Sequence, residues 1–207
     1  SSGEEGYLRS SARYFENACS IIEKAPALYA GQAEMIRSLY RDYAVLALRR
    51  SDFAAALRIT ERGYSVERII SIAREAPSFE GTPLEADYTA YQELLARTRI
   101  AVKARADFAA SDLKDDAQSA KLEKDAAAAF AGLNSFGREL GARSSLFASC
   151  LFVRADAPSG NELGASVVYC FFRDGSRAYG WRITSRGQSV HQLSAEGRGL
   201  AASIVSF

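Results

Sequence analysis

Through roughly the first two thirds of the chain, apolar residues recur at alternating gaps of three and four. In "YLRSSARYFENACSIIEKA", Leu8, Ala12, Phe15, Cys19 and Ile22 fall one above the other on a 3.6-residue turn, which predicts an amphipathic helix stopped by Pro26. A second helix is predicted from 32 to about 50, with Ile36, Leu39, Tyr40, Tyr43, Ala44, Ala47 and Leu48 on one broad face. A third follows, capped by Ser51 or Asp52, in which Ala56, Ile59, Gly63, Val66, Ile70 and Ala73 keep the same spacing until Pro77. Gly63 stands inside that buried stripe although glycine costs roughly 1 kcal/mol relative to alanine in a helix interior. Its missing side chain must therefore serve close packing or function.

Beyond the turn-rich "APSFEGTPLE", two long helices are predicted over 84–108 and 112–140, the second opening on the charged, alanine-rich "SDLKDDAQSAKLEKDAAAAF". That charge run reads as a solvated helix face. After about Leu140, Val, Phe, Tyr, Ser and Gly take over. Strand-like segments follow at "SSLFASCLFV", "ASVVYCFF", "RAYGWRI" and "QSVHQL". Asp174-Gly175 and Arg186-Gly187 turn the last three into an antiparallel meander, and Val167 to Phe172 is apolar on both alternating faces, so it needs cover on both sides. The closing "SAEGRGLAASIVSF" predicts one more helix, capped near Ser194. The fold class expected is α+β: a helical region over 1–80, a long helical hairpin over 84–143, and a β region over 144–207.

An apolar content of 48% suffices for a buried core, and 26 basic against 25 acidic residues give no bulk field to attract nucleic acid or an anionic membrane. Neither nucleic acid nor membrane insertion is expected, because no apolar run could span a bilayer. The opening "SSGEEGYLRS" lacks the basic start and apolar stretch of a signal peptide and reads as a clipped edge or a processed terminus, which leaves localisation open. Cys19, Cys150 and Cys170 are far apart in apolar surroundings, as buried reduced thiols are.

Few residues offer chemistry. His191, the only histidine, and Cys170 lie on segments that a meander brings close together, which suggests a thiolate and imidazole dyad, but no oxyanion loop or orienting group accompanies them. Asp112, Asp115, Asp116, Glu123 and Asp125 lack a histidine partner or a calcium-loop pattern, so no metal is expected. "GNELGAS" has no phosphate-loop lysine, and no cofactor is expected. Tyr169, Tyr179 and Trp181 fit core packing better than an exposed aromatic platform.

Two resemblances arise from these segments. The second and third helices resemble the tetratricopeptide repeat, a helical hairpin with small residues where its helices approach. Tyr40 and Tyr43 match its large positions, Ala44 and Ala56 its small ones, and Gly63 the late small one; Ala47 replaces the usual tyrosine and the final proline is absent. "ALRITERGYSVERIISIA" is similar to the helix that ends the repeat array in proteins with a C-terminal CHAT domain, a caspase-like and separase-like peptidase fold. In that family a long helical hairpin and then the first strands follow, as 84–140, "SSLFASCLFVRADAP", "SVVYCFF" and "SRAYGWRITSRGQSVHQL" follow here. The resemblance implies a catalytic histidine in a His-Gly context and a later cysteine, and neither context occurs in these residues.

The function expected is a non-catalytic, protein-binding helical module of tetratricopeptide type joined to the opening strands of a CHAT-like domain, with Tyr29, Arg37, Tyr40 and Tyr43 facing a protein or peptide partner. One alternative is the regulatory N-terminal part of a CHAT peptidase whose chemistry lies beyond Phe207. Another is a structural subunit that forms a homo-oligomer through an exposed β edge.

Overall fold

The computed structural model describes residues 2–75, 79–112, 115–151, 153, 167–174, 177–184 and 187–194. It contains α1 (Ser2–Glu23), a 3-10 helix (Pro26–Gln32), α2 (Ala33–Arg49), α3 (Phe53–Glu75), α4 (Glu85–Ala109), α5 (Asp116–Arg143), α6 (Ser145–Leu151) and strands β1 (Val167–Asp174), β2 (Arg177–Thr184) and β3 (Gly187–Ser194). The protein is thus mostly helical, with helical hairpins and a small antiparallel sheet. Its contacts divide the chain into two compact units, one of Ser1–Asn17, Ile36–Tyr64 and Arg154–Phe207, the other of Ala18–Met35 and Ser65–Val153.

In the first unit, α2 and α3 form a tight hairpin whose corner follows from one left-handed residue and two backbone bonds. Ser51 takes a left-handed φ of 58°, its N–H donates to the Leu48 carbonyl at 2.9 Å, and the Asp52 N–H donates to the Ala47 carbonyl at 3.0 Å. These bonds close α2 in a Schellman motif. Asp52 then starts α3 at once, its carboxylate accepting from the Ala55 N–H at 3.0 Å. Of the two capping candidates, Asp52 therefore caps and Ser51 makes the corner.

The stripe expected of α3 is buried at Ala56, Ile59 and Gly63, as are Ile36, Tyr40, Ala44 and Ala47 of α2, and Gly63 lies against Tyr40. Glu16 of α1 ties both helices together: it accepts two bonds from the Arg62 guanidinium, each 3.0 Å, and one from the Tyr43 hydroxyl at 3.0 Å, while Phe15 stacks on Tyr43 with centroids 5.5 Å apart.

The strands form the expected meander in the order β1-β2-β3, with Tyr169 opposite Trp181 and Trp181 opposite Val190. Trp181 is 1% exposed and its indole N–H donates to the Phe53 carbonyl at 3.2 Å, which uses one of the early α3 carbonyls as anchor for the sheet. Trp181 is thus a core residue, and Tyr179 beside it is half-buried.

In the second unit, α4 and α5 form the long hairpin. Asp115 caps α5, accepting from the Gln118 N–H at 3.0 Å. Leu95, Leu133, Leu140 and Phe147 are the centre of a core that also takes in Ile69 and Tyr91. Thr98, buried between the hairpin helices, shares its hydroxyl between the Leu94 carbonyl at 2.8 Å and the Ala129 carbonyl across the interface at 3.2 Å. Phe79, Tyr88 and Phe147 form a ring cluster, with Phe79 and Tyr88 centroids 4.5 Å apart.

One expectation is overturned. "SSLFASCLFV" was expected as a strand, whereas α6 makes 145–151 helical. Ser144 is extended at the end of α5, and its carbonyl receives the Ala148 N–H at 2.9 Å to open the new helix. Phe147 and Leu151, four residues apart, then point into one core, a spacing that suits a helix turn and not a strand. The final helix expected after Ser194 lies outside the described residues.

Candidate functional site

The long hairpin leaves a partly open groove of about 930 Å³ within the second unit. Its α5 side is a single helix face, because Glu123, Ala126, Ala127, Phe130, Ala131, Asn134, Ser135 and Arg138 follow one another at gaps of three and one. Its α4 side presents Arg99, Val102, Lys103 and Ala106, again at gaps of three and one, with Arg105 beside them. Ile21, Leu28, Tyr29 and Gln32, from the end of α1 and the 3-10 helix, complete the wall.

Small side chains make the depth. Alanine at 126, 127 and 131 keeps the α5 side low, and Phe130, half-buried against the core, is the large apolar group of that face. Ile21 is 55% exposed and Val102 is 37% exposed, two large apolar side chains held in water at the rim of one depression.

The groove carries four cationic side chains, Arg99, Lys103, Arg105 and Arg138, against one acid, Glu123. Lys103 reaches Asp107 at 2.6 Å, and Arg105 pairs with Glu123 at 3.5 Å. Arg99 instead donates from Nη2 to the Ala27 carbonyl at 2.8 Å, a neutral acceptor that fixes the guanidinium without cancelling its charge. Below it, burial and then the neighbouring Tyr88 push the Tyr91 hydroxyl up to about 12, while Arg99 pulls the other way. Burial also raises the Tyr29 hydroxyl above its ordinary range. Both tyrosines stay neutral through the physiological range, so the field in the groove is that of its basic side chains.

The four residues expected to face a peptide are placed differently from one another. Tyr29 lines the groove. Arg37 is exposed on α2 in the first unit. Tyr43 is half-buried, its ring on Phe15 and its hydroxyl on Glu16, so its polar tip is engaged inside the fold. Tyr40 is 4% exposed, and its expected place on a binding surface is corrected: it packs against Gly63 in the core of the hairpin. The other repeat positions, Ala44 and Ala56, are buried in the same core.

Strand register bears on the dyad. Cys170 of β1 and His191 of β3 both pair with Gly180 of β2, so they are not cross-strand neighbours but stand two strand spacings apart, roughly 10 Å along the sheet. Among the described residues no three His, Cys, Asp or Glu side chains gather as metal ligands, and no helix is long and apolar enough to cross a membrane.

The sequence does not reveal the groove, because part of its floor belongs to the alanine-rich run that reads as a solvated face. The usable signal was the alternation of small apolar residues with Phe130 at helical spacing, flanked by Glu123 and Arg138 on the same face. No family model, no curated protein and no solved structure matches the chain.

Proposed function

We propose that this chain is a protein-interaction module that receives a helical segment of a partner in the α4–α5 groove. The observation that carries the reading is the coincidence of exposed Ile21 and Val102 with the shallow alanine floor around Phe130, an apolar depression rimmed by polar and charged groups. Hydrophobic burial is the main favourable term in association, at about 25 cal/mol per Å² of apolar surface removed from water, and Ile21 and Val102 place such surface at the groove.

The hairpin of α2 and α3, resembling a tetratricopeptide repeat, contributes rigidity on this proposal, and β1–β3 correspond to the opening strands of a CHAT-like domain. Support for the first is the close approach of Gly63 to Tyr40, and for the second the order of segments along the chain.

The test is a selection from a displayed library of amphipathic helices, with apolar positions fixed at helical spacing and polar positions free, on the immobilised full chain. Enriched helices that lose binding to Ala131→Arg, a substitution at an exposed helical position that fills the groove, support the proposal, with circular dichroism confirming the fold. Failure to enrich any helix, or binding indifferent to Ala131→Arg, overturns it.

A further inference from the structure

We infer that the occupant of the groove is an acidic amphipathic helix, an inference that rests on the groove being a binding site. Two features of the groove select this class. The first is that both long walls are complete helices, in which backbone N–H and C=O groups are bonded along the helix. An extended peptide would find no backbone edge to pair with, whereas a helix arrives with its own backbone bonds made and needs only side-chain contacts. The α5 face from Glu123 to Arg138 spans about 22 Å at 1.5 Å per residue, the length of a four-turn helix.

The second feature is charge. Lys103 and Arg105 are already answered by Asp107 and Glu123, but Arg99 is held by a carbonyl and Arg138 closes the other end of the α5 face. A ligand with apolar residues at positions i, i+3, i+4 and i+7 would cover Ile21, Val102 and Phe130 with that stripe. Carboxylates flanking the stripe would meet Arg99 at one wall and Arg138 at the other. A basic helix would instead meet Arg99 and Arg138 with like charge across a partly desolvated surface, where that is costly. A second copy of this chain is the main competitor for the place.

The test takes one enriched helix and makes three synthetic versions sharing its apolar positions, with flanking polar positions all Glu, all Gln or all Lys. Fluorescence anisotropy measures each against the full chain at low and high ionic strength. The Glu version binds about tenfold or more tighter than the Gln version at low ionic strength, the gap narrows as salt rises, and Arg138→Glu removes most of it. Equal affinity of the Glu and Gln versions, or tighter binding of the Lys version, overturns the acidic class and leaves the groove reading standing. Failure of all three, with the parent helix bound and Ala131→Arg without effect on it, overturns the groove reading. Concentration-dependent dimerisation of the free chain in ultracentrifugation that Ala131→Arg abolishes makes a second copy the occupant and overturns the inference.

Discussion

A Cβ atom built on Gly63 of α3 would stand 3.0 Å from the Cβ of Tyr40 on α2, and 3.2 Å from the first ring carbon. Glycine suits that position because the two helices approach so closely that even a Cβ would be a tight fit. Gly63→Ala ordinarily gains about 1 kcal/mol of helix propensity, but here Tyr40 must move by some tenths of an ångström, and the gain is expected to vanish. Gly63→Leu is expected to destabilise by about 1–3 kcal/mol through overpacking. Urea denaturation of both variants measures this; a stabilised Gly63→Ala would show that the contact is slack.

Glu16 and Glu61 are expected to shape the acid limb of stability in opposite senses. The Arg62 hydrogen bonds hold the Glu16 carboxyl below its ordinary range, with the Arg62 charge and the Tyr43 hydroxyl adding to them against partial burial. Its stabilisation is complete above the unfolded-state value and is lost as pH falls through the lower folded value. Burial raises Glu61, so its ionised form weakens the fold at neutral pH and that cost fades as pH falls through the raised value. Thermal melts from neutral to acid pH should show Glu16→Gln destabilised at neutrality by about 1 kcal/mol, as befits a half-exposed pair, and level with the native chain in acid. Glu61→Gln should be the more stable protein at neutrality and lose that advantage in acid.

Ser51 holds a left-handed backbone that costs a side chain bearing Cβ about 1 kcal/mol. Ser51→Gly is expected to stabilise by about 0.5–1 kcal/mol and Ser51→Val to destabilise, read from chemical denaturation midpoints. The same direction for both would mean that the corner is not set by this φ.

Thr98→Val keeps the shape and removes the hydroxyl that joins α4 to the Ala129 carbonyl of α5. A loss of about 1–2 kcal/mol is expected, with faster amide exchange in the central turns of both helices. An unchanged exchange pattern would show that apolar packing alone holds the hairpin.

How much of this was legible depended on periodicity. Ala56, Ile59, Gly63, Val66, Ile70 and Ala73 were readable as a buried stripe because the interval of three and four leaves them only one face; the first five are buried and Ala73 is half-buried. Asp174-Gly175 and Arg186-Gly187 marked the meander because such pairs favour tight reversals. "SSLFASCLFV" misled because a short apolar run fits either period until tertiary contacts choose, and here Phe147 and Leu151 choose a helix. Tyr40 misled because an aromatic ring serves a core and a surface equally well; the absence of a side chain at Gly63 was the clue that its neighbour would be enclosed. Only one wall of the groove could be read from α5, since its second wall comes from Arg99 to Ala106 and its third from Ile21 to Gln32.

The most direct measurement of the central claim is amide hydrogen exchange of the full chain with and without a selected amphipathic helix bound. Slowed exchange concentrated in residues 99–106 and 123–138, absent in Ala131→Arg, is the result expected of a helix seated in the α4–α5 groove. Protection confined to α2, α3 or the strands, with those two stretches unchanged, would contradict it.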